Sequence, residues 1–191
     1  MSVLFSRWFF ASFFVAFLAV IPAAAAPLDP ARLVALETSA AAGDEKAQLN
    51  LAHRYLDGNG VEADLDKSLF YYRLAAARDI AYAQHRLARL YLDGRYLEPQ
   101  PIEAERWLLQ AAGQGYVPAQ LDLSQLYETR AGDASDRVSA LAWVLIAESL
   151  SDSQLDQRIE ALSAELSYLE RARATLSARL CILRGYEGCT L

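Results

Sequence analysis

The chain has 191 residues, a formal net charge of −6 and 54% hydrophobic residues, enough for one domain or a short repeat array. It contains no run of basic residues, and its acidic balance argues against nucleic-acid binding, which rests largely on neutralising phosphates. Its two cysteines, Cys181 and Cys189, both fall at the C-terminal end.

Residues 1–25 read as a signal peptide. Arg7 supplies a positive flank, "WFFASFFVAFLAVI" is an unbroken apolar run, and Ala23 and Ala25 satisfy the small-x-small rule for cleavage before Ala26. The alternative is an uncleaved anchor, because the run is about the length a bilayer needs. No cysteine follows the run, so a lipid anchor is not expected. Cleavage removes one basic residue and no acidic one, leaving an exported, slightly more acidic protein. In an oxidising compartment Cys181 and Cys189 are expected to pair. Closing so short a loop is worth roughly 2–3 kcal/mol in the chain-entropy description.

Residues 26–43 form a capping helix, with Asp29 as N-cap and Pro30 at the first helical position. Beyond it the chain repeats. Ala47-Gln48, Ala83-Gln84 and Ala119-Gln120 recur at a constant step of 36 residues. Leu51, Leu87 and Leu123 follow the same step, as do Tyr55, Tyr91 and Tyr127, and the aromatic series Tyr71, Trp107 and Trp143. A fixed period of this length means stacked supersecondary units. The units are expected at 44–79, 80–115 and, degenerate, 116–150.

Within the first unit, Ala47, Leu51, Ala52 and Tyr55 make the stripe of an amphipathic helix A. Gly58 ends that helix in a left-handed conformation. "NGVEAD" turns the chain, and Ser68, Tyr71, Tyr72, Ala75 and Ala76 point inward from helix B. Alanine lets the helices approach, and the large aromatics fill what remains. The turn after helix A is expected to change along the array, since Tyr96 stands at the place of Gly60 and Arg130 at the place of Gly58. Residues 151–191 supply two further helices as a C-terminal cap, the second opened by a Ser167-x-x-Glu170 capping box. The fold class is therefore all-α, a right-handed α-solenoid of stacked helix-turn-helix units with helical caps.

These residues resemble the Sel1-like repeat family, relatives of the tetratricopeptide repeats. The first unit carries the resemblance through Ala47, Gln48, Leu51, Tyr55, Gly58, Gly60, Val61, Asp64, Tyr71, Tyr72, Ala75 and Ala76. The second carries it through Trp107, Ala111, Ala112 and Gly115, and the third through Ala119, Gln120, Leu121, Tyr127, Ala140, Trp143 and Ala147. The chain departs from the pattern with Ala52 in place of glycine and Ser68 in place of alanine. The resemblance implies a protein-binding adaptor, and the Cys181–Cys189 tail is similar to that of exported bacterial members.

No chemical motif accompanies the repeat. Ser-x-x-Lys, Gly-x-Ser-x-Gly and P-loop signatures are missing from the sequence. His53 and His85 occupy non-equivalent positions and read as solvated helix-face residues, so no catalytic residue, cofactor or metal is expected. The variable ladders on helix A, namely Asn50, Arg86 and Asp122 and then His53, Arg89 and Gln125, read instead as a polar strip on a concave face. They are the expected partner-binding residues. Phe70 reads either as an exposed contact or as buried against the N-terminal cap. The leading function is a non-enzymatic, periplasmic or secreted scaffold for another envelope protein. Cell-wall glycan binding or hydrolysis is the first alternative, and presentation of the array from an uncleaved membrane anchor the second.

Overall fold

The computed structural model describes residues 27–130, 133–151, 155–186 and 189; the signal segment, residues 1–25, lies outside them. The described residues form nine helices and no strand: α1 (Pro30–Ala41), α2 (Glu45–Asp57), α3 (Leu65–Ala76), α4 (Ala81–Asp93), α5 (Pro101–Ala112), α6 (Val117–Arg130), α7 (Ala134–Leu150), α8 (Asp156–Ala164) and α9 (Tyr168–Leu183). From α1 to α7 each helix packs on its neighbour in sequence, and α9 then packs back on α7. Helices α2, α4 and α6 are the A helices of the three units, and α3, α5 and α7 the B helices.

Local chemistry sets the helix ends. Asp44 and Asp64 each accept a bond at 3.0 Å from the backbone N–H three residues on, capping α2 and α3. Asp29 caps α1 with Pro30 behind it, and Ser167 and Glu170 form the reciprocal capping box of α9. Gly58 and Gly94 close α2 and α4 in the left-handed region, at φ of 68° and 66°.

The turns differ from the expectation of steady change. In the first two units the returning backbone closes identically, Asp64 N–H to Tyr55 C=O and Gln100 N–H to Tyr91 C=O, both at 2.8 Å. The "DGRYLEPQ" turn keeps this geometry because Tyr96 and Leu97 tuck against the core. Only the third unit departs: with Arg130 in place of the glycine, α6 runs one residue further. Arg130 then bridges three helices, bonding Glu105 at 2.8 Å and Asp136 at 2.7 Å.

The Ala-Gln pair of each A helix has a specific task. Gln48, Gln84 and Gln120 are buried, and each donates its side-chain amide to the carbonyl eight residues earlier, at Ala40, Ala76 and Ala112 respectively. Those carbonyls sit at the C-terminal ends of α1, α3 and α5, where the regular helical bond is lost and each keeps only a tighter turn bond from the backbone N–H three residues on. The glutamine therefore staples each A helix to the end of the preceding helix. The alanines beside it (Ala75, Ala76, Ala83, Ala111, Ala112, Ala119) are all sealed from solvent, so the backbones approach closely enough for the bond to form.

The aromatic series is not one uniform core slot, which corrects the sequence reading. Tyr71 and Trp107 are only half-buried, whereas Tyr72, Leu108 and Val144, one residue later in each unit, are fully buried. Tyr71 stacks on Tyr55 at 6.0 Å, and Trp107 lies under the Arg106 guanidinium at 4.4 Å. Trp143 alone of the series is 0% exposed, and its helix α7 differs from α3 and α5 in packing against the cap helices α8 and α9. Phe70 is 55% exposed, resting edge-on against Tyr71 and not buried against α1.

The ends are unequal. Helix α1 fully buries only Ala40, in a small separate cluster with Ala47, Leu51 and Tyr55 against which its Leu33 and Leu36 pack half-buried. At the other end the main core runs through α7 to Ala174, Ala178 and Cys181 of α9, and Cys181 is disulfide-bonded to Cys189. The outer face of α9 is not the polar surface usual for a terminal cap: Leu169, Leu176 and Leu183 stand in solvent, the last 82% exposed.

Two measurements check this assignment of the core. Gln84→Leu removes the side-chain bond to the Ala76 carbonyl, which keeps its bond from the Asp79 N–H, and is expected to lower unfolding free energy by about 0.5–1.5 kcal/mol in urea titrations, whereas Gln114→Ala, which removes only the exposed amide bonded to Gln84, costs less. Trp143→Ala is expected to cost about 3–5 kcal/mol while Phe70→Ala stays within about 1 kcal/mol; equal midpoints contradict the assigned inward face.

Candidate partner-binding face

The ladder residues lie on α2, α4 and α6, and the structure divides them into three groups. On α2, Asn50 accepts from Arg54 Nε at 2.6 Å and borders a groove of about 260 Å³ with Leu28, Arg32, Leu36 and Ser39. It belongs with the N-terminal cap rather than with the other ladder residues.

The second group joins α2, α3 and α4. His53 Nδ1 lies 2.9 Å from the Tyr72 hydroxyl, and its Nε2 lies 2.9 Å from the hydroxyl of Tyr82. Arg86 Nε donates to the Tyr72 oxygen at 3.4 Å. Neutral imidazole has one donor and one acceptor nitrogen. Tyr72 is fully buried, so leaving its O–H unused is penalised. The bonds therefore run in one direction: Arg86 to Tyr72, Tyr72 to His53 Nδ1, and His53 Nε2–H to Tyr82. Burial, and then the Arg86 charge, hold the His53 pKa below the ordinary histidine value against an opposing pull from Asp57. Burial likewise pushes the Tyr72 phenol up.

The third group joins α4 and α6. His85 Nε2–H donates to Asp122 at 2.9 Å, and Arg89 reaches the same carboxylate at 3.4 Å. Burial alone raises the Asp122 pKa, but the hydrogen bond from His85 and the charge of Arg89 outweigh it and keep the carboxyl below its usual range. The His85 ring also contacts Tyr116 at 5.3 Å. Arg89, Asp122 and Gln125 border a groove of about 340 Å³ floored by Leu92 and Leu126, with Asp93 and Thr129 at its edge. An apolar floor with a rim of mixed charge is the composition of a protein-recognition surface.

Both histidines depart from the sequence reading. Neither is a solvated face residue; each is half-buried and ties one repeat to the next. Sequence inspection missed Tyr72, Tyr82 and Tyr116 as members of this face, because Tyr82 and Tyr116 lie off the ladders and Tyr72 reads as pure core. The signal available was the tyrosine content itself, since a buried phenol requires a partner for its hydroxyl. Beyond α6 the polar face continues through Arg158, which bonds Glu128 at 2.5 Å and Ser124 at 3.2 Å. No group of three or more His, Cys, Asp or Glu converges among the described residues.

His53 gives the face a pH signature. Its folded pKa is depressed, so above the unfolded value of about 6.5 the neutral ring carries no penalty. As pH falls through that value the unfolded chain takes up the proton first, and stability drops until the folded pKa is reached. Unfolding midpoints are expected to decline between pH 7 and pH 5. His53→Gln, which can still bridge Tyr72 and Tyr82, is expected to flatten that decline; an unchanged slope assigns it to other groups.

Comparison with known proteins accounts for the repeat. The Sel1 repeat matches three times, at residues 45–80, 81–116 and 117–152. The crystal structure of a Sel1 repeat protein from Oxalobacter formigenes is similar to this chain at 32% identity and a TM-score of 0.59, covering 68% of this chain and 98% of that one. A protective antigen present in uropathogenic Escherichia coli strains, displaying an SLR fold, aligns at 27% identity and a TM-score of 0.69 over 82% of this chain; the alignment spans 34% of the antigen. No curated protein matches. With three consecutive units matched and the same helical stacking in both solved structures, the chain belongs to the Sel1 repeat family.

Proposed function

We propose that this Sel1 repeat scaffold is exported and binds another protein of the bacterial cell envelope through the face built by α2, α4 and α6, without catalytic activity of its own. The observation that carries the reading is the contrast within each A helix. Four inward positions, those of Ala47, Gln48, Leu51 and Tyr55, hold the same residue at every step, while the outward ladder changes from Asn50 to Arg86 to Asp122 and from His53 to Arg89 to Gln125. The α4–α6 groove offers apolar floor and charged rim together. Export is supported by the apolar N-terminal run with its small-x-small site, and by the Cys181–Cys189 bond, which persists in oxidising compartments. No helix among the described residues is long and apolar enough to cross a membrane.

The structure also decides which variants probe the face. Arg86 is half-buried against Tyr72 and His53, so a charge reversal there disturbs the fold as well as the surface. Gln125 is exposed within the groove, and Arg106 is exposed on a B helix. A photo-crosslinking amino acid at each position, in cells fractionated by osmotic shock, separates the possibilities. Gln125 is expected to give a discrete protein adduct in the shock fraction and Arg106 none. Equal labelling from both positions contradicts the recognition face, and retention in washed membranes contradicts release into the periplasm.

A further inference from the structure

We infer that Arg86 and Tyr82, organised through Tyr72 and His53, form a binding site for a single carboxylate presented by the protein partner. This rests on reading the α2–α4–α6 face as a partner surface. The argument is a count of donors and acceptors. Along the chain of bonds from Arg86 to Tyr72 to His53 to Tyr82, every acceptor is consumed, and the Tyr82 O–H is left over. The remaining guanidinium N–H groups of Arg86 have no acceptor among the described residues. What the cluster presents outward is therefore a set of donors beside a positive charge, with no acceptor of its own.

Arg86 differs from the ion-paired arginines of the array and, like Arg73, which donates to the Tyr91 hydroxyl, is held by a phenol. Arg89, Arg106, Arg130 and Arg158 each have a carboxylate within ion-pair distance. Arg86 is half-buried and has none among the described residues; Asp57 acts on it only at longer range. Buried or half-buried charges are normally paired. Here the charge is held in place by a phenol, and the counter-ion is left to arrive from outside.

The ligand chemistry follows from the charge count. One guanidinium faces the site, Asp57 and Asp122 lie in the surroundings, and the whole chain is at −6. A phosphate dianion meets one cation and a background of its own sign. A carboxylate matches the planar fork of the guanidinium with its two oxygens and can also accept from the Tyr82 O–H. The Tyr116 ring packs on His85 next along the face and feels the Arg86 charge.

The test is an NMR titration of the full exported protein, labelled with nitrogen-15 and observed at the Arg86 Nε–H and the His53 ring. The probes are N-acetyl-trialanine with a free C-terminus, the same peptide as its amide, N-acetyl-aspartate amide, and inorganic phosphate. Saturable shifts are expected from the two carboxylate probes, none from the trialanine amide, and weaker binding from phosphate. Preference for free trialanine assigns the site to a chain end, and preference for the aspartate probe assigns it to an acidic side chain. Arg86→Gln, checked for an unchanged melting profile, is expected to abolish the shifts at His53. Arg86→Lys keeps the charge without the fork and is expected to weaken binding at least about fivefold, and Tyr82→Phe by about three- to tenfold. The inference is overturned if no carboxylate saturates, if phosphate binds as well, or if Arg86→Gln titrates like the parent. The Gln125 crosslink reports on the separate α4–α6 groove. Loss of carboxylate binding with the crosslink intact removes only this site, and loss of the crosslink with carboxylate binding intact removes only the partner-face reading.

Discussion

A buried glutamine amide reaching back to the last carbonyl of the preceding helix fixes the geometry of this array. The bond spans eight residues in every unit, from Gln48 to Ala40, Gln84 to Ala76 and Gln120 to Ala112. It forms only if the end of one helix and the start of the next are held at a constant distance and angle. Alanine at the neighbouring positions permits that approach, and a larger side chain at Ala76 or Ala83 pushes the two backbones apart. Each carbonyl also takes a turn bond from the backbone N–H three residues on, so the glutamine adds a second bond that ties the helix end to the next helix. The 36-residue period is the sequence trace of this requirement, with Leu51, Leu87 and Leu123 filling the space that the staple defines.

Because the staples and the alanine contacts fix the relation between units, the outward side of each A helix is relieved of that task and varies. The variation does not leave isolated surface residues. His53 reaches across to Tyr82, and Asp122 gathers both His85 and Arg89, so each junction carries a different polar link. These links give the face fixed side-chain positions, and ordering it on binding therefore carries less entropic penalty than ordering free arginines and histidines.

Much of the fold was legible because it depends on local rules. Asp29-Pro30, Gly58 and the Ser167–Glu170 box act through bonds within a turn or two of the chain, and each sits where the sequence reading puts it. The misread features all depend on what another element covers. Residues 71 and 72 are about 100° apart on a helix, both near the inward face, and periodicity cannot rank them. Tyr72 lies between His53 of α2 and Arg86 of α4, and Trp143 sits on the one B helix that packs against the C-terminal cap. The histidines were read as solvated for the same reason, since their partners Tyr82 and Asp122 sit 29 and 37 residues away. The turn after α4 looked altered by composition, yet Gly94 and the Gln100–Tyr91 bond preserve its path. The candidate site was legible as a set of variable positions on one face, but its division into three groups was not.

Tyr72 belongs to both halves of this arrangement. Its ring is part of the continuous core, with no solvent exposure, while its hydroxyl takes the bond from Arg86 and passes one to His53. Phenylalanine at this position fills the same volume but leaves a half-buried histidine nitrogen and a guanidinium without their shared partner, which costs more than the lost hydroxyl itself. Leu108 and Val144, at the equivalent places in the next two units, fill the core without offering any such group. The array is thus regular in how it packs and irregular in what it presents. At the first junction a core residue reaches the surface as a hydrogen-bonding group, through the bonds of Tyr72 to Arg86 and His53.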